Sequence, residues 1–445
     1  MAFDNSQIKK IGLVTTSAFV IANMVGTGVF GSIGFQLAGT TNLVAVLSLW
    51  VIGGVIALCG ALVYSELGAA MPRSGGEYHY LSKIYHPWMG FLSGWISITV
   101  GFAAPVAIAA MLLGGYTSRI FPSMSSENIA LSVVLVLTII HSLDVKLGGK
   151  FQNVFTSFKI LLILVFIACG FLVTPHYQNI SGSFKTFSFS EFLRPEFFVS
   201  LMYVNYAFSG WNASAYIASE IENPQKNIPR SLLISTLIVT VLYFFLNYIF
   251  LLTAPVKELI GQPEVGYISA TKIFGSIGGS LMASLISILL VSTISSMIFV
   301  GPRVSQVMGE DLKLFSFLAE KSKRGTPVYG LLFQMAISFF LIMTSTFESV
   351  MTYAGFTLSL FTFMTVLGVF VHRYKFKNAE RPYKTWGYPV VPIIYLTIIL
   401  FTIYKLIEQR PFESLMGFLT VFSGSILYWI NMAMEKKKDI STTNN

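Results

Sequence analysis

The sequence predicts an all-α integral membrane protein of twelve transmembrane helices, and three observations carry that prediction. The 445 residues are 54% hydrophobic and only 11% charged, with a mean hydropathy of +0.71. A soluble domain carries about a quarter charged residues, so this chain lacks the charge to wet the surfaces of several globular cores. The apolar residues also fall into separate runs long enough to cross a hydrocarbon core at roughly 20 residues each. Finally, Lys and Arg collect at alternate ends of these runs, as they do when basic loops stay cytoplasmic. Nearly every residue is then committed to a span or a connector, which excludes a soluble catalytic domain, a nucleotide-binding domain or a large ectodomain. The net charge of +9 is topological in meaning. No basic cluster sits on a soluble part that could hold nucleic acid, and the lipid bilayer is the partner the composition demands.

In chain order the expected spans are residues 11–35, 42–69, 88–117, 127–142, 153–173, 197–219, 230–254, 277–303, 328–346, 349–371, 388–406 and 414–433. The first follows MAFDNSQIKKIGLV, which has no small-residue cleavage site and reads as a retained span. The second ends near Glu66, Arg73 and Glu77, which surround PRSGG and read from residue type alone as a solvated helix end. The fourth ends at His141, an interfacial residue by position. The fifth contains Lys159, the one basic residue placed inside a span. The loop 174–196 carries the sequon Asn179-Ile180-Ser181, a three-residue match that arises easily by chance. The sixth span is followed by Glu220, Glu222, Lys226 and Arg230. The seventh holds Tyr243 and Asn247 four residues apart, and the eighth the hydroxyl-rich LVSTISSM.

Most of the 29 basic residues, among them Lys9, Lys10, Arg73, Lys83, Lys146, Lys150, Arg303, Lys323, Arg324, Arg373 and Lys436 to Lys438, fall on one side. Both termini are therefore expected in the cytoplasm, in agreement with an even number of spans. Cys59 and Cys169 both lie in apolar runs and read as small buried hydrophobes, not as a disulfide framework. No HExxH, Cys/His metal spacing, GxSxG or Walker A pattern is present, so no metal, cofactor or enzymatic site is expected.

Glycine-rich interruptions in two spans are the informative irregularities. Gly26-Thr27-Gly28 lies within IANMVGTGVFGSIGF, and each glycine weakens a helix by about 1 kcal/mol. In span 6, Tyr206-Ala207-Phe208-Ser209-Gly210-Trp211-Asn212 sets a Ser-Gly pair and an amide at similar depth. Either alone reads equally well as close packing through small residues. Together they are five spans apart, an odd number that inverts orientation, so spans 6–10 would repeat spans 1–5 upside down. Paired broken helices in inverted halves point to a secondary transporter's binding site. Unwound backbone at mid-membrane is tolerated only where it lines a cavity or meets a ligand. Half-helix N-termini attract a carboxylate and C-termini an ammonium, and a zwitterionic amino acid satisfies both.

Several motifs carry a resemblance. VGTGVF in span 1, YSELGAAMPRSGGEYHYL after span 2, YAFSGWN and ENPQKNIPRS around span 6, KRGTPV before span 9 and RPYKTWGYPVVP before span 11 occur in order along nearly the whole chain. The sequence resembles the amino acid–polyamine–organocation (APC) superfamily, and within it bacterial relatives of the L-type amino acid transporters. The resemblance implies a LeuT-like fold of two inverted five-helix repeats plus two C-terminal helices. The divisions would be a cytoplasmic N-terminus 1–10, repeats 11–173 and 197–371, a helix pair 388–433 and a cytoplasmic tail 434–445.

It also implies that Val25, Gly26, Thr27 and Gly28 with Tyr206, Phe208, Ser209, Gly210 and Asn212 hold the substrate, Tyr206 as an aromatic lid. With 39 Phe and 20 Tyr in the chain, packing is the competing reading for either aromatic. Asn212 is expected to reach span 1 or a substrate side chain, and Tyr243 and Asn247 to supply supporting polar contacts. The PRSGG segment becomes a gate element.

Lys159 reads on physical grounds either as a functional intramembrane cation or as a side chain that snorkels to the interface. In family members with this lysine its ammonium stands where sodium-coupled relatives bind a cation between spans 1, 5 and 8. Ser292, Thr293 and Ser296 are its candidate partners, unless they merely satisfy their own helix carbonyls. The expected function is secondary transport of small or medium neutral L-amino acids, by sodium-independent exchange or by proton symport through Lys159. A channel or a membrane enzyme is the remote alternative. Animal L-type transporters pair with a glycoprotein through a cysteine between spans 3 and 4, and Ser118 to Asn128 contains none, so no disulfide-linked subunit is expected.

Overall fold

A computed structural model describes residues 10–40, 42–143, 148–173, 180–322 and 325–443, with backbone alone for 148–155, 173, 180–182 and 436–443. Lys9, Lys146, Lys323, Arg324 and Asn179, all used above, and the ends 1–9 and 444–445 lie outside the described residues, as do the side chains of Lys150 and Lys436 to Lys438.

The described chain is helical apart from an isolated parallel bridge between Ile11 and Ile221. Its helices are α1 Leu13–Met24, α2 Thr27–Gly31, α3 Ile33–Gly39, α4 Leu43–Ala70, α5 Glu77–Ile84, α6 Pro87–Ile96, α7 Ala103–Ile120, α8 Ser126–Leu143, α9 Gly148–Val173 and α10 Ile180–Thr186. They continue as α11 Pro195–Ala207, α12 Ala213–Tyr216, α13 Pro224–Thr253, α14 Val256–Leu259, α15 Val265–Asp311, α16 Val328–Thr344, α17 Phe347–Lys375, α18 Val390–Gln409 and α19 Pro411–Thr443. A π-helical turn, Ser97–Gly101, joins α6 to α7. Among the described residues nine helical stretches are long and apolar enough to cross a membrane, and 156–172 and 328–344 are shorter apolar helices. The chain is a multi-pass membrane protein.

α4 shows how sequence sets these elements. The Asn42 side chain accepts from the amides of Val44 and Ala45 at 3.0 and 3.1 Å, an N-cap that satisfies two orphan donors. The following 28 residues are predominantly apolar, so most of the helix is buried in the bundle while Val51 and Val55 face outward, and it ends just before Pro72. Gly53 and Gly54 let it meet Val204 and Thr240 at close range. The eighth expected span begins earlier than its apolar run. α15 starts at Val265 and bends at Gly275, whose φ of +75° only glycine adopts freely. Lys272 in this extra piece pairs with Glu258 at 2.8 Å, and its charge masked the helix from a search by hydropathy. α5 was missed because it is too short and polar for a span, although Tyr80, Leu81 and Ile84 bury one face of it.

The two faces of the bundle differ. On one, Gly261 donates to the Gly34 carbonyl at 2.9 Å, Tyr116 joins the Phe30 carbonyl to the Gly266 amide at 3.1 Å each, and Arg119 pairs with Glu264 at 3.1 Å. There Glu348 also binds the Tyr203 hydroxyl at 2.5 Å and the Arg410 guanidinium. The opposite face carries Ile11, Arg73 and Glu220, and a cavity of about 1270 Å³ runs inward from these residues to the interrupted helices.

Candidate functional site

The first span breaks between α1 and α2, at Val25 and Gly26. A break frees the carbonyls that end one half-helix and the amides that start the next. The freed carbonyls are taken by side chains from other helices. Tyr243 on α13 donates its hydroxyl to the Met24 carbonyl at 2.6 Å. The Lys159 ammonium on α9 donates to the Val25 carbonyl at 3.3 Å and to Thr293 Oγ1 on α15 at 2.7 Å. Lys159 is only 3% exposed, so it does not snorkel. Thr293 Oγ1 in turn donates to Leu289 at 3.2 Å. Ser292 Oγ is buried with no partner among the described residues, and Ser296 lines the cavity; of the three hydroxyls proposed as partners, the lysine meets Thr293.

The sixth span breaks between α11 and α12. Here the backbone closes on itself through Ser209 to Tyr206, Trp211 to Phe208 and Ala213 to Gly210, at 2.9, 3.3 and 3.0 Å. Gly210 sits at φ +95°, which a side chain resists. The breaks touch through their glycines. A methyl on Gly28 would stand 2.3 Å from Ala207 Cα, and one on Gly210 would stand 2.7 Å from the Asn23 carbonyl. Gly26 has room, its nearest neighbour being Thr293 Cγ2 at 3.7 Å. Tyr243 also reaches the Ala207 carbonyl at 3.2 Å, so one hydroxyl stitches both breaks. Asn247 Nδ2 bonds the Tyr243 carbonyl at 2.8 Å, one turn back on its own helix.

Gly26, Thr27, Gly28, Tyr206, Phe208, Ser209, Gly210 and Asn212 all line the cavity; Val25 is fully buried behind it. Phe208 packs on Tyr243 with ring centroids 5.1 Å apart. Trp211 packs edge-on against Tyr64 at 4.7 Å.

Asn212 has a different neighbour from the one the sequence suggested. Its Nδ2 donates to Glu77 Oε1 at 2.9 Å, because the turn before α5 folds back under the sixth span. Glu77, read as a solvated helix end, is 4% exposed. It also accepts from Tyr64 at 2.6 Å and Tyr216 at 3.2 Å, and burial raises its carboxyl pKa above the usual range. Its neighbour Glu66 is held instead by Arg373, through two bonds at 2.8 and 2.6 Å, and by the Thr385 amide at 2.7 Å. His141 is likewise buried, at 7% exposed, and its Nε2 lies 2.8 Å from Ser295 Oγ. These partners sit far away in sequence, so span-by-span hydropathy held no signal for them.

The family profile described as amino acid permease matches residues 11–430. The chain is 29% identical to the b(0,+)-type amino acid transporter 1 of Mus musculus, over 95% of this chain and 88% of the relative. It is 28% identical to the serine/threonine exchanger SteT of Bacillus subtilis (strain 168), over 98% and 99% of the two lengths. The large neutral amino acids transporter small subunit 2 of Mus musculus is 28% identical over 96% of this chain and 82% of that protein. The broken helices, the cavity that reaches them and this end-to-end similarity agree: the chain belongs to the amino acid permease family of the APC superfamily and is an amino acid transporter, not an enzyme.

Proposed function

We propose that this transporter carries small or medium neutral L-amino acids by alternating access and sodium-independent exchange. The observation that carries the reading is the Lys159 ammonium, 2.7 Å from Thr293 and 3.3 Å from the Val25 carbonyl. A fixed charge there ties α9 and α15 to the first break, the work a bound cation would otherwise perform, and the cycle then needs no ion. The architecture proposed is twelve spans, with 11–173 and 197–371 as inverted repeats, 388–433 as a further pair and both termini cytoplasmic in the cell membrane. The amino acid's carboxylate meets the amides that open α2, and its ammonium meets carbonyls of the sixth-span break. Tyr206 closes over it.

Two relatives bear names that fit this class, a serine/threonine exchanger and a large neutral amino acid transporter. The cavity's reach to Arg73 and Glu220 suits a state open to the cytoplasm. Activity as a single chain is proposed, since Ser118 to Asn128 offers no cysteine.

Proton symport is the second reading. It is favoured by the neutral company of Lys159, whose hydrogen bonds go to a carbonyl and a hydroxyl with no carboxylate among the described residues. Proteoliposomes decide between them. Exchange requires uptake only when amino acid is present inside, and Lys159→Ala should slow it about tenfold or more while the protein stays monodisperse. Accumulation into empty vesicles under an imposed proton gradient, lost in Lys159→Ala, would establish symport instead.

A further inference from the structure

The second acidic group on the cavity wall has no cation to answer it. Glu77 lies at the start of α5, buried, and its three bonds come from neutral donors on other elements: Tyr64 on α4, Asn212 at the end of the sixth-span break and Tyr216 on α12. The surrounding titratable groups are Tyr80 on α5 and Tyr395 on α18, with Arg73 and His79 on the flanking turn and helix. No Lys, Arg or His forms an ion pair with Glu77 among the described residues, whereas Glu66, on α4, has two arginines within 4 Å. A buried carboxylate bound only by neutral donors carries a desolvation cost that no opposite charge offsets, and its two oxygens accept from three donors where an amide has a single acceptor oxygen.

The same turn is clasped to α12 and to the helical turn Ala218–Glu220 after it by other contacts. The Ser74 and Ser219 hydroxyls meet at 2.5 Å, and the Gly75 amide donates to the Tyr216 carbonyl at 3.2 Å. Gly76, at φ +51°, leaves a methyl only 2.8 Å from the Tyr216 ring. The clasp therefore grips the segment that follows Ser209 and Gly210, and Glu77 is its carboxylate member.

We propose that Glu77 is a positioning residue that sets the far end of the sixth-span break through Asn212 and Tyr216, and that uptake of a proton by its carboxylate loosens this hold and lowers apparent affinity for the amino acid. The inference rests on the transport reading above. The carboxylate makes charge-assisted bonds to all three donors; the acid turns one oxygen into a donor and weakens the set. Burial, which raises the pKa of this group, brings that change toward the pH range in which cells work.

The test uses the purified full chain in proteoliposomes, with radiolabelled L-serine and L-leucine as probes against a panel of the common L-amino acids. In the wild type, KM should rise about tenfold as the pH falls from about 8 to about 5, with kcat changing much less. Glu77→Gln keeps the size but removes the charge and, like the acid, turns one acceptor oxygen into a donor, so it should show the high KM at every pH and a flat profile. Glu77→Asp should restore a titration. Tyr216→Phe removes one donor, and it should raise KM at high pH and shrink the pH response. Should Glu77→Gln fail to purify as a monodisperse protein, Tyr216→Phe decides alone.

A Glu77→Gln profile that titrates like the wild type would assign the pH response to another group, Lys159, His79 or His141, and overturn the proposal. So would a flat profile at wild-type affinity. No uptake of any amino acid by the wild type would sink the transport reading itself, a distinct outcome.

Discussion

The two interruptions that frame the cavity are built by opposite means. The first-span break is short and is held from outside: its carbonyls at Met24 and Val25 are occupied by Tyr243 and Lys159. The sixth-span break is longer and holds itself, through three turn-like backbone bonds and a positive-φ glycine. A break that depends on foreign side chains responds to what happens in α9, α13 and α15. A break that closes on itself can be repositioned as a unit, and its Asn212 side chain bonds beyond the segment, to Glu77. The contrast separates a helix whose backbone is exposed by its neighbours from one whose backbone is folded by its own sequence.

The sharpest way to break this comparison is to add a methyl where the two segments meet. Gly28→Ala places a carbon 2.3 Å from Ala207 Cα, and Gly210→Ala places one 2.7 Å from the Asn23 carbonyl at a φ of +95°. Backbone cannot yield as a side-chain tip can. Overpacking costs about 1–3 kcal/mol, and for Gly210 the left-handed backbone adds about 1–2 kcal/mol. Both variants should lose most uptake and melt several degrees lower, read by radiolabel counting and by thermal-shift chromatography. Wild-type transport by either would mean the breaks do not approach each other as described.

The Tyr243 hydroxyl offers a smaller and more selective perturbation. Tyr243→Phe keeps the ring packed on Phe208 and on Trp50 but strands the Met24 carbonyl. An unmade buried hydrogen bond costs about 1–3 kcal/mol, so apparent affinity should fall roughly fivefold or more. Because the Ala207 contact is longer, at 3.2 Å against 2.6 Å, the loss should trace to the first break. A double variant with Lys159→Ala tests this: losses that are less than additive show that both side chains serve one carbonyl pair, and full additivity would separate them.

Much of this was legible from residue order. The apolar runs located helices, and the glycines within VGTGVF and YAFSGWN located the interruptions. Lys159 stood out because a cation in an apolar run has few explanations. What hydropathy could not provide were contacts that depend on tertiary placement. Glu77 looks like any acidic helix start until Tyr64, Asn212 and Tyr216 converge on it. Glu66 sits beside Arg73 in sequence and yet pairs with Arg373, more than 300 residues away. The glycines mislead in another way. Sequence treats them alike, but Gly28 and Gly210 make room for each other's segments, Gly53 and Gly54 make room for Val204 and Thr240, and a methyl on Gly26 would meet its neighbours only at ordinary contact distance.

That last difference yields the smallest expected effect. If Gly26 were needed so that backbone could approach backbone, Gly26→Ala would behave like Gly28→Ala. Its added carbon instead meets Thr293 Cγ2 at 3.7 Å, an ordinary van der Waals contact. The remaining cost is the methyl's presence at the cavity wall, where Gly26 stands beside Thr27. Uptake of a small amino acid should therefore stay within about twofold of wild type, since a single methyl in ordinary contact changes packing little. A bulkier substrate that fills the space above the break should lose more. Measuring KM for L-alanine and L-leucine in Gly26→Ala separates the cases. Equal small losses leave Gly26 as a hinge with room to spare, a selective loss for leucine places the substrate against it, and a collapse for both would show that the first break, like the sixth, depends on its own glycine.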